Sequence, residues 1–597
     1  MEFARHSDRV VDRTMDGLLC RFQPDTHQEQ VYHFSVGPWR LAEYIWPNVS
    51  GRQFPVHRRW LEVIPAEGRI WTPSLYMGLL PLLLAISAIQ FRRKRSADYP
   101  AEQCLIGGGV PGGFYSWVVV LAVVASFGWY ALGWLVQEIR IAAGADALEP
   151  GAVGPPFGGL YWLMTVVLPG YGCFRYPAKL LVVAALGLSL LAARGWDETF
   201  ARRSDRVRRW PVWLGGLSLL GAVTAMAIRP FWHGWLSGVK PDVLFGPLDT
   251  SGAANDLLGA LVQTAVLCAV SWWLLRGTKQ APSSAWRKVP VPSLLLLLVA
   301  VDLAVANRWM VVCAPADLWK QQPRLAAAIG DHSGRVVRHP IWMPERWAST
   351  SSPDRLTEAM QWDLDTLWPK HNLAARVSLV EVHGAMMLRD WQRLLQERGQ
   401  DDSSRAKDRW APLSAYAILP GEKVLAGGER IDVDVEDVSL WRNPRHVPRS
   451  WIVHDADAPP DDNEWCRLLH DGPLRVEIEA ELARPGMVVL GAQFYPGWQL
   501  QAETAIAADE HPRRTQQPAG ASCRSVPILR TDEVMRGAWL PAGHHRLTYR
   551  YRPASFMCGA LISGLGWLVV LACWTASRLA GVTGRLAGMI RRSRGDA

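Results

Sequence analysis

Long apolar runs alternate with polar stretches along the 597-residue chain. A bilayer crossing takes about 20 mostly apolar residues. Seven runs approach that length: Pro73–Gln90, Phe114–Val136, Leu180–Ala193, Trp210–Ile228, Leu257–Leu275, Val291–Ala306 and Phe556–Ala576. The third is short and is expected to begin near Tyr176, with Lys179 snorkelling outward. A further stretch, Leu160–Leu168, is too short to cross and has a proline on each side; it reads as a re-entrant or interfacial helix. Between the sixth and seventh runs, from Val311 to Pro553, the pattern changes. Helical spacing covers Pro353–Leu364 and Met387–Arg398. Ile431–Val438 and Leu474–Leu482 alternate with period two, and Met487–Phe494 and Arg546–Arg552 complete a set of strands. Turn signals at Pro485-Gly486, Pro496-Gly497 and Pro541-Ala542-Gly543 separate them, which suggests a β-sandwich. Residues 502–522 are polar and read as a disordered loop.

The fold class that follows is a membrane helical bundle of about seven spans plus an extracytoplasmic α+β domain with a β-sandwich. Its parts are a polar segment 1–72, helices and short loops over 73–310, the polar domain 311–553, and a last helix with a basic tail over 554–597.

Charge refines the picture. The formal net charge of +9 would raise nucleic acid as a partner in a soluble chain. Here the basic residues flank apolar runs, where they set topology, and no nucleic-acid partner is expected. The segment FRRKR at 91–95 follows the first run, and Arg194, Arg202, Arg203, Arg206, Arg208 and Arg209 follow the third. Arg276, Lys279, Arg287 and Lys288 follow the fifth, and Arg578, Arg585, Arg591, Arg592 and Arg594 follow the seventh. Every odd-numbered run therefore precedes a basic segment. That pattern puts the C-terminus in the cytoplasm and both 1–72 and 311–553 outside. Several of the 31 Trp residues sit at run ends, as an interfacial belt requires. Mean hydropathy is +0.02, the average of very apolar and very polar parts.

Nine cysteines are spread singly, and none has metal-ligand spacing. Cys466 and Cys523 share the polar domain and are either a disulfide or two thiols. No basic-then-apolar leader precedes the first run, although topology places 1–72 outside. The expectation is that the chain begins inside a longer gene product, or that a partner protein supplies helices ahead of it.

Three stretches carry a family resemblance: GYGCFRYPAKLLVVAALGLSLLAARG (170–195), the pair LWPKHNLAARVSLVEVHGAM (367–386) and LWRNPRHVPRSWIV (440–453), and FYPGWQL (494–500) followed by VPILRTDEVMRGAWLPAGHHRLTYRYRPASFMCGALIS (526–563). In that order they resemble the YfhO family of bacterial membrane proteins, over nearly the whole chain from about Val31. The resemblance implies a multi-pass protein of the bacterial cytoplasmic (inner) membrane and a GT-C-type glycosyltransferase. Such an enzyme takes a sugar from a polyprenyl-phosphate donor and passes it to an envelope glycan or lipid on the outer face. A divalent metal is left open. The class places its catalytic carboxylate in the first outer loop between its first two helices, and this chain departs from that pattern ahead of Pro73.

Several residues are candidates for that chemistry. Arg175, Tyr176 and Lys179 lie outside, just before a span, where a lipid-linked donor presents its phosphate. The alternative is that they are interfacial anchors. Glu43, in LAEYIWPNVSG with Asn48, is a candidate general base or a solvated carboxylate. Asp302 lies within the sixth run and reads as a structural intramembrane acid, paired with a basic group or orienting Asn307. Tyr495 and Trp498 read as a strand end and tight turn, or as a carbohydrate contact. Asp363-Leu364-Asp365 has the DxD spacing of nucleotide-sugar enzymes but falls outside, away from nucleotide sugars. The Gly107–Gly113 run lacks a following GK[ST] and is not a P-loop. The competing functions are a non-catalytic envelope scaffold, one subunit of a split glycosyltransferase, and a transporter. The last is disfavoured by the lack of a repeat of spans.

Overall fold

The computed structural model describes residues 31–64, 70, 72–91, 112–145, 155–200, 206–277, 290–330, 334–339, 342–380, 388–391, 393, 414–454, 461–504, 522–531 and 534–593. The basic loops at 92–95, 202–205 and 279–288, most of the Gly107–Gly113 run, most of the Met387–Arg398 helix and nearly all of the 502–522 loop lie outside them.

Mixed helix and sheet make up the fold. Its helices in the first half are α1 (Leu79–Ala88), α2 (Gly112–Ser126), α3 (Leu132–Ala142), α4 (Leu160–Val167), α5 (Leu181–Phe200), α6 (Arg206–Ile228), α7 (Thr250–Gly277) and α8 (Val291–Asn307). The polar region holds α9 (Arg324–Ile329), β1 (Val336–Arg338), α10 (Arg355–Asp365), β2 (Tyr416–Pro420), β3 (Glu429–Ile431), β4 (Val438–Arg442), β5 (Ser450–Val453), β6 (Trp465–Asp471) and β7 (Arg475–Leu482). It continues through β8 (Gly486–Gln493), β9 (Trp498–Thr504), β10 (Ser522–Val526), β11 (Leu529–Thr531), β12 (Met535–Leu540) and β13 (Gly543–Tyr551) into α11 (Ala554–Ser593).

Among the described residues, five helices are long and apolar enough to cross a membrane: Pro177–Phe200, Arg209–Trp235, Thr250–Arg276, Val291–Met310 and Ala554–Ala576. Their length and apolarity are those of membrane-crossing helices. Two of the seven expected spans take another form. The first contains only the ten residues of α1, about 15 Å of helix. Gly78, at φ +94°, turns the chain into that helix. The second breaks between Ser126 and Leu132, where Gly128 at φ +52° packs against Ser35 and Pro177. The backbone of the broken turn is held by residues 35–36: Val36 N–H donates to Ser126 O at 3.0 Å, and Trp129 N–H donates to Ser35 Oγ at 2.9 Å.

Small residues let the helices close on one another. A Cβ on Gly195 of α5 would lie 2.1 Å from the Leu84 carbonyl oxygen of α1, and one on Gly187 would lie 2.7 Å from a Val119 methyl of α2. One buried cluster joins α1, α7 and α8 through Leu79, Leu83, Leu274 and Leu295. By contrast α11 is exposed on every side, from Phe556 to Trp574.

Residues 31–64, ahead of the first apolar run, are not a solvated stretch. Residues 31–64 pack among the helix ends, with Arg40, Glu43, Ser50, His57 and Arg59 all buried. Trp46 donates to Ser218 Oγ on α6 at 2.9 Å, and Thr264 on α7 donates to the Ile45 carbonyl at 3.1 Å. Asn48 uses both ends of its amide, donating to the Ala306 carbonyl and accepting from Trp309 Nε1, each at 2.9 Å. The internal Arg40–Glu43 pair, with Arg52 and Arg58 paired to Asp256 and Asp249 at the start of α7, helps so polar a segment to pack there.

In the domain, β1–β2–β4–β3 form one sheet, with β1 and β2 parallel and the other pairs antiparallel. Two antiparallel sheets follow, ordered β10–β9–β13–β7–β6 and β11–β12–β8–β5. Their inward side chains share one core, with Ile478, Leu482, Leu500 and Leu547 from the first and Ile452, Leu490 and Leu540 from the second. The expected strands at 474–482, 487–494 and 546–552 are β7, β8 and the end of β13. The alternation at Ile431–Val438 gives a different result. Only its ends enter strands, and 432–437 is the connection of the β3–β4 hairpin. Val433 and Val435 still face the core there, so the side-chain pattern is real while the ladder is absent.

Cys466 is a free thiol. It lies on β6 and Cys523 lies on β10, at opposite edges of the five-stranded sheet. Four strand spacings separate them by about 19 Å, well beyond the roughly 7 Å that a disulfide tolerates between Cα atoms.

Candidate functional site

The FRYP turn (174–177) precedes α5 and sets out a cluster of charge and aromatic surface. Tyr176 takes the left-handed conformation at φ +77°, and its N–H donates to the Val31 carbonyl at 3.2 Å. The Lys179 ammonium stands 4.7 Å from the Tyr176 ring centroid and the Arg175 guanidinium carbon 5.7 Å from it. Phe34 meets the ring edge-on at 4.8 Å. Lys179 and Phe174 are exposed beside them. All three expected residues therefore converge at the head of a membrane-length helix, with Phe34 as a neighbour the sequence did not suggest. Two cations holding one aromatic face in a partly wet site can bind an anionic group and an apolar tail together.

Glu43 lies in the same layer. Its helical turn (Pro38–Tyr44) contributes Tyr44 to a buried cluster with Ala178 and Leu181 at the head of α5. The Glu43 side chain is 2% exposed and is held from three sides. Arg40 donates Nε to Oε1 at 3.0 Å and Nη2 to Oε2 at 2.8 Å, while Ser50 Oγ donates to Oε1 at 2.5 Å. Arg40 Nη2 also donates to the Thr72 carbonyl at 2.8 Å. This is a bidentate buried ion pair that ties residue 43 to the entry of the first apolar run. The solvated alternative for Glu43 is corrected: the carboxylate is buried, and its acceptor sites are engaged.

Asp302 is buried on α8, and its described partners are neutral donors. Tyr76 Oη donates to it at 2.7 Å, Gln263 Nε2 at 2.8 Å and the Leu79 N–H at 3.2 Å. The carboxylate thus caps the start of α1 rather than pairing with a basic group or with Asn307. The reason is positional: α1 begins inside the bundle, so its first N–H groups need an acceptor from a neighbouring helix.

Tyr495 and Trp498 sit where the domain meets its last membrane helix. Trp498 pairs in register with Tyr551 of β13, three residues before α11. Their rings lie 5.2 Å apart, with Tyr495 6.3 Å from Tyr551. Gly497, at φ +99°, is the tight turn: its carbonyl accepts the Arg552 N–H at 2.7 Å, and a Cβ there would lie 3.0 Å from Pro553 Cα. Arg536 covers the Trp498 ring from the other sheet, 3.9 Å from guanidinium carbon to centroid.

The DxD carboxylates do not act together. Positions two apart on a helix diverge by about 200°. Asp365 accepts the Arg324 N–H at 3.0 Å and Gln361 Nε2 at 3.0 Å, so it caps α9. Asp363 is pushed up to about 6 by burial, with the nearby Arg338 charge opposing the shift. No group of three or more His, Cys, Asp and Glu side chains suited to a metal ion occurs among the described residues.

No family model matches the chain, and no curated protein or solved structure matches it.

Proposed function

We propose that the protein acts on the outer face of the cytoplasmic membrane on a polyprenyl-phosphate-linked sugar, as a glycosyltransferase-like member of the YfhO type. The observation that carries the reading is the convergence of Arg175 and Lys179 on Tyr176 at the head of α5. There the cations would hold the donor phosphate while Phe174 and Tyr176 meet its lipid. In the proposed reaction the bond between the sugar's anomeric carbon and the phosphate oxygen breaks, the acceptor hydroxyl oxygen bonds to that carbon, and polyprenyl phosphate leaves, taking up the hydroxyl's proton. Glu43 is not assigned the role of base.

We read α1 and α2 as partial crossings that complete a seven-segment topology, and the two stacked sheets as a β-sandwich. Packing of Phe54 on Trp309 and Phe245 supports placing 31–64 on the same side as the domain, which the basic loops put outside. The engagement of Glu43 by Arg40 and Ser50 favours a second reading, a non-catalytic scaffold or one subunit of a split enzyme.

Reconstitution of the full chain in vesicles with a radiolabelled polyprenyl-phosphate sugar separates these readings. Binding and transfer that both fall at least tenfold in Arg175→Ala, with the protein retained in the membrane, support the enzyme. Binding without transfer supports the second reading. Donor binding unchanged by Arg175→Ala together with Lys179→Ala sinks the site.

A further inference from the structure

A cleft of about 740 Å³ opens in the domain between residues 369–379 and the two stacked sheets. That volume suits a small ligand. Five cationic residues line it: Arg335, Lys370, Arg376, Arg449 and Arg536. The lining carries one acid, Asp471, and Arg449 Nε already donates to it at 2.9 Å. Lys370 and Arg376 are exposed at the mouth.

Arg536 is the unusual member. It is 6% exposed, its Nε donates to the Gln493 carbonyl at 2.8 Å, and its Nη1 has no hydrogen-bond partner among the described residues. Burial lowers its pKa to about 10, so it remains a cation at neutral pH. A buried, incompletely satisfied guanidinium costs free energy unless an anion completes it.

The sheet is built to put it there. Between β12 and β8 the register slips, with Met535 opposite Gln493 but Arg536 opposite Leu490. Gly491 leaves that ladder and bonds with Arg449 instead. Its N–H donates to the Arg449 carbonyl at 2.9 Å, and Arg449 Nη1 donates to the Gly491 carbonyl. Such an irregularity re-aims side chains beside a cavity. An adjoining hollow of about 270 Å³ shares Arg536 and Trp498 with the cleft and adds Tyr495 and Tyr551. The cationic wall and the aromatic wall therefore meet at one residue pair.

We propose that this cleft binds a phosphate-bearing saccharide, with the phosphate among Arg536, Arg449, Lys370 and Arg376 and the sugar ring against the aromatic hollow. The site lies in a different part of the molecule from the Tyr176 cluster and does not depend on the transfer reaction. Tyr551 of the aromatic hollow lies three residues before α11, a position that suits a phosphosugar carried on a lipid as well as one on a soluble chain.

Isothermal titration of the full chain in phosphatidylcholine nanodiscs, with glucose 1-phosphate as the probe, tests it. Glucose 1-phosphate is expected to bind at least tenfold more tightly than glucose or inorganic phosphate. Arg536→Gln should weaken it at least tenfold. The exposed pair Lys370→Gln with Arg376→Gln should weaken it several-fold and flatten its salt dependence without touching the buried fold. Equal binding of glucose, or of inorganic phosphate, overturns the proposal, as does wild-type affinity in the exposed double variant. Loss of glucose 1-phosphate binding on adding undecaprenyl phosphate to the discs assigns a lipid-borne ligand. Retention assigns a soluble one.

Discussion

Tyr76 donates its hydroxyl to the Asp302 carboxylate at 2.7 Å, across the junction of α1 and α8. Gln263 and the Leu79 N–H reach the same carboxylate, so every described partner is a donor. Asp302→Asn would turn an N–H₂ group toward one of those donors. The variant is expected to lose about 2 kcal/mol and to melt earlier in detergent, with Tyr76→Phe losing about half as much. An Asp302→Asn protein that melts like the wild type would remove the capping role.

The Arg40–Glu43 pair should behave as a buried unit. Removing either partner leaves an uncompensated charge, so Arg40→Ala and Glu43→Ala are each expected to cost about 3 to 5 kcal/mol. A double-mutant cycle should show strong coupling, because the second substitution adds little. A Glu43→Gln protein with full thermal stability and no activity would instead point to a base.

Glu464 gives a pH signature. Despite the opposing effect of burial, hydrogen bonds from His454 at 2.7 Å and from the N–H groups of Asp461, Ala483 and Arg484 hold its carboxyl down at about 2. The folded pKa lies below the ordinary value of 4.5. Its stabilisation is therefore present above about pH 4.5 and lost as pH falls toward 2. Melting measured against pH should show this acid loss in the wild type and a flatter profile in Glu464→Gln.

Asp363 has the opposite sign. Burial raises its carboxyl to about 6, and its Oδ1 has no hydrogen-bond partner among the described residues. The folded state holds this proton more tightly than the unfolded chain, so stability declines as pH rises from about 4 through about 6. Asp363→Asn is expected to melt above the wild type at pH 8 and to match it near pH 4. Matching curves at both pH values would contradict the burial effect.

The half-buried Cys466 thiol, pushed up to about 11 by desolvation, should stay reduced and unreactive at neutral pH. Melting with and without a reductant is expected to coincide, and a reductant-dependent shift would contradict the strand separation.

Legibility followed the range of the interactions. The long helices α5 to α8 and α11, the short α4 and the strands β7, β8 and β13 follow from local periodicity, because uniform apolarity or strict alternation leaves one way to bury a segment. The signal failed where a distant contact set the backbone. The second apolar run breaks at Gly128 because residues 35–36 bind the turn, and α1 starts late because Asp302 supplies its cap. The basic cleft was half visible. Lys370, Arg376, Arg449 and Arg536 all lie within the stretches that carry the family resemblance, yet nothing local brings them to one wall.

What the sequence by itself determined is the division into membrane-length apolar helices and a polar, strand-rich domain, together with the placing of Arg175, Tyr176 and Lys179 at the head of α5. Those features depend on hydropathy and on neighbours within a few residues. Only the tertiary structure decided that 31–64 is buried among the helices, that Glu43 is locked by Arg40, and that Arg536 lies on Trp498 from another sheet. Each joins charges or rings whose pairing depends on how the chain returns on itself, and burying a polar group is tolerable only once that partner has arrived.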